Sequence, residues 1–406
     1  MPAQSAKRNG LPRRRFLAHS AGLAVAATTL ALPSTAAEEA SAPSRRYRAA
    51  IIGHTGKGNY GHGLDVCFND RDDVEVVAVA DPDAAGRAKA AQRAKAPRQY
   101  ADFREMLAQE KPQLVSVAPR WTDQHHAMAL AALQAGAHVY SEKPFTTSLA
   151  EADELLAAAA KAGLRIAVAH QMRLAPNVLH LKKLMDAGLL GEPREMRSHG
   201  KQDRRAGGED LMVLGVHLFN LMHFFAGEAL WCSARVLHQG RAVTLADARP
   251  ASENIGLVAG DDISAEFGFA NDVRASFTSR AKDRESAGPW GIELAGSKGT
   301  ARIAADIPPK TFVRKSGAAD GAWEPLPDDP TLNAQPDKDP FAAANRRMVD
   351  ELLAAVREKR EPACSGRDGM KAVEMVMAVY HAGVSGARVQ LPLAQREHPL
   401  APATKQ

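Results

Sequence analysis

The chain has 406 residues, enough for two domains with complete hydrophobic cores, and a formal net charge of +5. Five of its 52 basic residues lie within the first 15 positions, and the other 47 match the 47 acidic residues in number. This balance gives no support for a nucleic-acid partner. The three cysteines, Cys67, Cys232 and Cys364, indicate neither a disulfide framework nor a metal cluster, so we predict no metal site.

The N-terminus has the features of an export signal. Arg13-Arg14-Arg15-Phe16-Leu17 resembles the twin-arginine pattern, and an apolar, Ala- and Thr-rich stretch leads to a small-residue cleavage pattern at 33–36. That stretch is too short for a membrane span, so we expect no stable membrane insertion. We predict a signal peptide over 1–37, a flexible mature N-terminus over 38–46, and export of the folded protein to the periplasm or another extracytoplasmic space. An ordinary secretory signal or an uncleaved anchor is the alternative.

The stretch from 49 to 63, AAIIGHTGKGNYGHG, begins as a buried strand and continues with glycines. Residues 56–61 match G-x-G-x-x-G, and we predict a helix over 61–69 with its N-terminus at a pyrophosphate. Asp81 ends the next predicted strand, 20 residues after Gly61. A carboxylate there binds the adenosine ribose and repels a 2′-phosphate, so we favour NAD over NADP. A Rossmann-like fold with an altered loop is the alternative. The cofactor contacts expected here are Gly53, His54, Thr55, Gly56, Gly58, Asn59, Tyr60 and Asp81.

Helices and strands then alternate in the pattern of a doubly wound parallel sheet, so we assign 47–169 to an α/β Rossmann domain. The predicted helices are 84–94, 102–110, 124–135 and 149–161, and the predicted strands are 114–118, 137–140 and 164–169. From 170 to 392 we predict an α+β domain with a large, mostly antiparallel open sheet, because hairpin signals occur at 271–272 and 296–299. Its predicted helices include 176–187 and 211–225. Two more helices within 341–386 are expected to pack back against the preceding part of the chain. A tail follows over 393–406.

Glu142-Lys143-Pro144 directly follows a strand, 17 residues beyond His125. With the glycine loop, Asp81, the segment from Pro119 to His125 and Gly215-Val216-His217, it resembles the glucose–fructose oxidoreductase / inositol dehydrogenase / MocA family. The resemblance implies an NAD(P)-dependent oxidoreductase that acts on a small carbohydrate and forms a homo-oligomer, a dimer or a tetramer. It implies further cofactor contacts at Pro119, Arg120, Trp121, His125, Glu142 and Lys143.

Lys143 is the predicted acid/base. It follows a parallel strand, at the sheet edge where ligands bind in open α/β sheets. Partial burial near a cationic nicotinamide would lower the pKa of its amine, which could then accept a hydroxyl proton as hydride leaves. The resemblance makes His217 its catalytic partner. Family members typically carry Asp four residues before this His, where the chain has Val213, and the frequent Asp at Asn220 is also missing.

The missing carboxylate leaves three explanations open. In the first, Lys143 and His217 suffice for the proton transfer. In the second, Glu209 or Asp210 supplies the carboxylate. In the third, the protein catalyses a reaction other than the usual dehydrogenation. His217 as a buried, hydrogen-bonded structural histidine is the simpler alternative. The residues expected to contact a polyhydroxylated or anionic substrate are Lys143, Arg173, Arg204, Glu209, Asp210 and His217.

The leading hypothesis is therefore an exported NAD(P)-dependent oxidoreductase that acts on a sugar and keeps its nicotinamide tightly bound, because free nucleotide is scarce outside the cytoplasm. One alternative is a glycoside hydrolase or epimerase that uses transient oxidation with no net redox change. The other is a non-catalytic protein that binds a sugar or a nucleotide.

Overall fold

The computed structural model describes residues 46–283, 290–315, 321–327, 329 and 339–402. The predicted signal peptide and the predicted mature N-terminus up to residue 45 lie outside the described residues, as do residues 403–406 of the predicted tail. No helix within the described ranges is long and apolar enough to cross a membrane.

The first domain contains a six-stranded parallel sheet. Its strands are β1 (Tyr47–Ile52), β2 (Val74–Ala80), β3 (Arg98–Tyr100), β4 (Leu114–Val117), β5 (His138–Ser141) and β6 (Ile166–Val168). Its helices are α1 (Ala84–Ala94), α2 (Phe103–Glu110), α3 (His125–Gln134) and α4 (Leu149–Ala162). The spatial order β3-β2-β1-β4-β5-β6 is that of the predicted doubly wound sheet.

Both faces of this sheet are buried, as its apolar strands require. In β1, Ala49 and Ile51 point into one core, and Ala50 and Ile52 point into the other. The core around Ile51 also contains side chains from the segment that follows the glycines, from α1 and from a C-terminal helix, α8 (Pro340–Glu358). That helix therefore covers part of the first domain.

The second domain contains a ten-stranded, mostly antiparallel sheet. The strands from 193 to 280 are β7 (Pro193–His199), β8 (Trp231–His238), β9 (Arg241–Ala242), β10 (Arg249–Pro250), β11 (Leu257–Val258), β12 (Asp262–Gly268) and β13 (Arg274–Arg280). The later strands are β14 (Gly291–Gly296), β15 (Gly299–Ala304), β16 (Lys310–Lys315), β17 (Glu324–Pro325) and β18 (Val389–Gln390). Strands β10 and β11 pair separately, and β7 joins the two predicted hairpins by pairing parallel to β13 and antiparallel to β14.

Helices cover this sheet and connect it to the first domain. They are α5 (Pro176–Asp186), the short turn α6 (Gly208–Asp210), α7 (Val216–Ala226), α8 and α9 (Gly366–Ser385). The helix predicted over 211–225 is instead interrupted, because Leu211–Gly215 forms a π-helical turn between α6 and α7. At its end Gly215 packs against Phe277, whose ring would lie 3.2 Å from an added Cβ.

The helix predicted over 61–69 is wrong. The chain forms a series of turns there, although Leu64, Cys67 and Phe68 are buried as the apolar side of a helix would be. The reason is backbone geometry: φ is +59° at Gly61 and +80° at Gly63, which a right-handed helix cannot contain. The glycine stretch is therefore followed by turns and not by the N-terminus of a helix.

A buried amide on α8 holds these turns in place. Asn345 Nδ2 donates to the carbonyl of His62 at 2.9 Å, and its Oδ1 accepts from the Tyr140 hydroxyl at 2.8 Å and from Gln171 Nε2 at 3.0 Å. Asn345 and Tyr140 are both fully buried. One side chain thus connects the glycine turns, the strand before Glu142 and the segment after β6.

Asn345→Leu should lower the free energy of unfolding by ~2–4 kcal/mol, because it leaves buried polar groups without partners at ~1–3 kcal/mol each. Urea denaturation measures this change. Gln92→Leu, on the exposed side of α1, is the control and should stay within about 0.5 kcal/mol of the parent. Equal stability of the two variants would contradict this role for Asn345.

Candidate active site

A cavity of about 180 Å³ lies between the carboxyl ends of β4, β5 and β6 and the second domain. From the first domain it is lined by residues that include His62, Arg120, Lys143, Gln171 and Met172. From the second domain it is lined by residues that include Lys201, Arg205, Val213, His217, Glu253 and Trp290. Its lining combines apolar side chains with a few charged ones, as the linings of small-molecule sites do.

Lys143 is buried in this cavity, with 6% of its surface exposed. Its Nζ donates to the backbone carbonyl of Val213 at 3.3 Å, within the π-helical turn. Burial lowers the pKa of the Lys143 amine, and the negative charge of Glu142 opposes this shift. Lys143 therefore loses its proton more readily than a surface lysine does.

Glu142 is held as a buried carboxylate. Its Oε1 lies 2.8 Å from His62 Nδ1, and its Oε2 accepts from the peptide N–H of Lys143. Burial alone would raise the pKa of Glu142, but the hydrogen bond from His62 and the charge of Lys143 lower it to about 2. The side chain of Glu142 also packs on Gly61, where an added Cβ would lie 2.7 Å from its Cγ. Glu142 thus joins the glycine turns to the lysine.

Two histidines lie close to the lysine. The rings of His170 and His217 meet edge to face with centroids 5.3 Å apart, and Trp290 lies 6.0 Å from His217. Burial, followed by the charge of Lys143, lowers the pKa of His170 to about 3 and that of His217 well below its ordinary value. Both ring nitrogens of His170 and Nδ1 of His217 lack a hydrogen-bond partner among the described residues. The site therefore contains neutral imidazoles with free nitrogens.

Comparison with known proteins places this site in a family. Residues 47–170 match the model of the oxidoreductase family with an NAD-binding Rossmann fold, and residues 178–302 match that of the Gfo/Idh/MocA C-terminal domain. Together the two models cover more than half of the chain. The chain belongs to the Gfo/Idh/MocA family of NAD-dependent oxidoreductases.

Relatives and solved structures extend along most of the chain. D-apiose dehydrogenase of Paraburkholderia graminis is 26% identical over 370 residues, which cover 89% of this chain and 94% of the relative. Inositol 2-dehydrogenase 1 of Saccharopolyspora erythraea is 26% identical over 350 residues, covering 79% and 90%. A levoglucosan dehydrogenase in complex with NADH and levoglucosan has the same fold, with a TM-score of 0.69, 17% identity, and coverage of 86% of this chain and all of that one.

Most of the predicted cofactor residues form or support the glycine turns. His54 and Asn59 exchange backbone hydrogen bonds of 3.1 and 2.9 Å, and Asn59 Oδ1 accepts from the Gly56 N–H. The Tyr60 ring packs on Gly53, where a Cβ would lie 2.1 Å from it. His54 Nδ1 also makes a short hydrogen bond with Gln124.

Asp81 is fully buried at the end of β2, where its carboxylate holds the start of the turns. Its Oδ2 accepts from the peptide N–H and the hydroxyl of Thr55 at 2.9 and 2.7 Å, and its Oδ1 accepts from the Asp83 N–H. The sequence predicts that Asp81 contacts the ribose of the cofactor directly. In the structure, Thr55 covers the Asp81 carboxylate instead.

The segment after β4 packs against the turns. A Cβ on Gly58 would lie 2.5 Å from the backbone nitrogens of Arg120 and Trp121, so this contact requires glycine. His125 is buried and hydrogen-bonds to the carbonyls of Pro119 and Pro144 at 2.6 and 2.8 Å. It thereby ties this segment to the turn that carries Lys143. Of these residues, Arg120 lines the cavity.

Four of the predicted substrate residues do not line the cavity. Arg173 pairs with Asp368 at 3.0 Å and stacks on Phe224, and Arg204 lies 3.4 Å from Glu253. The other two carboxylates are already bonded: Glu209 accepts from Arg249 and Ser252, and Asp210 accepts from Ser279 and from the N–H groups of Lys201 and Gln202. Within the described residues, neither carboxylate takes the place of the family Asp beside Lys143.

Several cavity residues were missed at the level of sequence. His62 lies in the glycine stretch, and its position next to that motif was the available signal. Glu253 had no motif, because it reaches the cavity only through the fold. No cluster of three metal-binding side chains occurs in the described part of the chain.

Acid should destabilise the protein through His170. Its pKa is about 3 in the folded state against an ordinary 6.5, so between these pH values the unfolded chain binds more protons. The contribution of His170 to the free energy of unfolding is therefore complete above pH 6.5. It is lost as the pH drops towards 3, by at most ~1.4 kcal/mol per pH unit.

His170→Gln should flatten that dependence, measured as the free energy of urea unfolding at several pH values. The control is His126→Gln, since His126 lies towards the surface beside Glu154. An unchanged acid slope in His170→Gln would contradict a buried, neutral His170, whatever its effect on stability at neutral pH.

Proposed function

We propose that this protein is an exported, NAD-dependent oxidoreductase that oxidises a hydroxyl of a sugar or sugar derivative, with Lys143 as the acid/base. One observation carries the proposal: a buried lysine amine, with a pKa lowered by burial, faces a cavity lined by both apolar and charged side chains. A neutral amine has a lone pair for a hydroxyl proton, which a fully charged surface lysine lacks.

The proposed step breaks two bonds of the substrate. Its O–H proton passes to Nζ of Lys143, and its C–H hydrogen leaves as hydride while a C=O bond forms. The bound nicotinamide supplies the hydride acceptor. The hydrogen bond from Nζ to the Val213 carbonyl orients the amine, and the free Nδ1 of neutral His217, which lines the same cavity, is available to hydrogen-bond the reacting hydroxyl.

The glycine turns, Arg120 and Glu142 would hold the cofactor. The N–H groups of Gly58 and Tyr60 have no partner in the described part of the chain, and a Cβ on Gly56 would meet no atom within 4 Å. Free N–H groups in consecutive turns suit a pyrophosphate. Asp81, covered by Thr55, keeps a carboxylate beside the adenosine end, which supports NAD over NADP.

The first 37 residues support export by the twin-arginine route, with a tightly bound nicotinamide recycled in each catalytic cycle. Paired oxidation and reduction of two sugars would achieve this recycling. We also propose a dimer or a tetramer, on the family resemblance.

Release of the ligands of the purified, folded protein, followed by mass spectrometry, should give NAD, and absence of any nicotinamide nucleotide would argue for a non-catalytic protein.

A second candidate is glycoside hydrolysis or epimerisation through transient oxidation. It is favoured by Val213, which replaces the family carboxylate, and by the neutral imidazoles of His170 and His217. Absorbance at the band of reduced nicotinamide separates the two candidates. Net oxidation of a sugar changes it, whereas product formed without change in absorbance indicates the second candidate.

Lys143→Met should lower kcat by ~10²-fold or more on any substrate, because it removes the acid/base but retains most of the length of the side chain. Bound NAD should be retained, as quantified after denaturation. Lys161→Met, on α4 and outside the cavity, is the control and should turn over like the parent. Unchanged turnover in Lys143→Met would remove the mechanism while leaving the fold untouched.

Val213→Asp should raise the rate of net sugar oxidation by about tenfold or more, because it places a proton-accepting carboxylate beside Lys143 and His217. Val213→Asn, which has a similar shape but no charge, is the matched control and should give no gain. If the Asp variant gains nothing over the Asn variant, the missing carboxylate does not limit oxidation in this protein.

A further inference from the structure

The loop from Gly200 to Ala206 is held rigidly at the cavity by Asp210. The carboxylate of Asp210 accepts from the N–H groups of Lys201 and Gln202 at 3.2 and 3.0 Å and from the Ser279 hydroxyl at 2.6 Å. Gly200 packs so closely on this carboxylate that a Cβ would lie 1.9 Å from Asp210 Oδ2. The loop is therefore built around a buried carboxylate that does not reach the cavity, and it projects Lys201 into the lining.

Glu209 performs a parallel role on the neighbouring segment. It accepts from the Ser252 N–H at 3.2 Å and from the Ser252 hydroxyl at 2.6 Å. This fixes the next residue, Glu253, which lines the cavity and lies 3.5 Å from Arg205. Two consecutive carboxylates thus position charged side chains at the cavity without lining it.

The charges on this side of the cavity are only partly paired. Arg205 pairs with Asp203 at 2.6 Å as well as with Glu253, so these charges are matched within the protein. Lys201 is exposed to the cavity and has no carboxylate within ion-pair distance among the described residues. The other lining carboxylate, Asp306, accepts from the N–H of Ile307 and is not within ion-pair distance of Lys201. The ammonium group of Lys201 therefore has no ion-pair partner among the described residues that line the cavity.

We propose that the substrate is a sugar acid, whose carboxylate pairs with Lys201 while its reacting hydroxyl lies at Lys143. The inference rests on the proposed function and adds the substrate class. A carboxylate carries one negative charge, which suits a single unmatched ammonium, whereas a phosphate monoester carries close to two. Arg120, another cationic residue of the lining, has its backbone against the glycine turns and is assigned to the cofactor in the proposed function.

Binding to the NAD-loaded protein tests this assignment. Calorimetry compares D-glucuronate with D-glucose, and D-galacturonate with D-galactose, so that each pair differs only at C6. The acid of at least one pair should bind about tenfold more tightly than its neutral partner, and added salt should weaken the acid alone. Lys201→Met should abolish that preference, whereas Lys89→Met, which removes the same charge from α1, should preserve it.

The outcomes separate the two proposals. Neutral sugars that bind as tightly as the acids, or acids that do not bind, overturn the substrate class, even where a neutral sugar is oxidised. A preference for acids that survives in Lys201→Met overturns the role of Lys201. A protein without nicotinamide, or one that binds acids but converts neither acids nor neutral sugars, refutes the proposed function instead.

Discussion

The removal of the Lys143 amine from water is the constraint on which the site depends. A lysine is stable in that position only where hydrogen bonds and an opposite charge compensate for lost hydration. Here the Val213 carbonyl accepts from the amine, and Glu142, itself stabilised by His62, supplies the charge. The same Glu142 packs on Gly61, so the conformation of the glycine turns and the electrostatics of the lysine are linked through one side chain.

The first domain could be predicted because local signals and tertiary structure agree there. Apolar runs gave the parallel strands, and Asp102 and Ser148 cap the helices that follow them, as their side chains allow. The predicted helix at 61–69 failed because an apolar pattern was given more weight than glycines that require positive φ. Strand β8 was missed because it is defined by pairing with β12 and β18, which are distant in sequence.

The site could be predicted only in part. Lys143 and His217 follow motifs, and the structure brings both to the cavity. Asp210 and Glu209 looked like substrate residues because they are acidic and near a motif, but their carboxylates are satisfied by the Ser279 hydroxyl and by backbone N–H groups. Sequence shows that a carboxylate is present but not which donors surround it. For the same reason the sequence could not separate Lys201, which lacks a partner in the described residues, from Arg205, which has two.

The most direct test of this account is the titration of the Lys143 amine itself. NMR of the folded protein with isotope-labelled lysine, assigned by comparison with Lys143→Met, would give its pKa. The account predicts a value clearly below the ordinary 10.5, because burial outweighs the attraction of Glu142. A value of 10.5 or above would show that the amine stays charged in the cavity, and Lys143 could then not serve as the base.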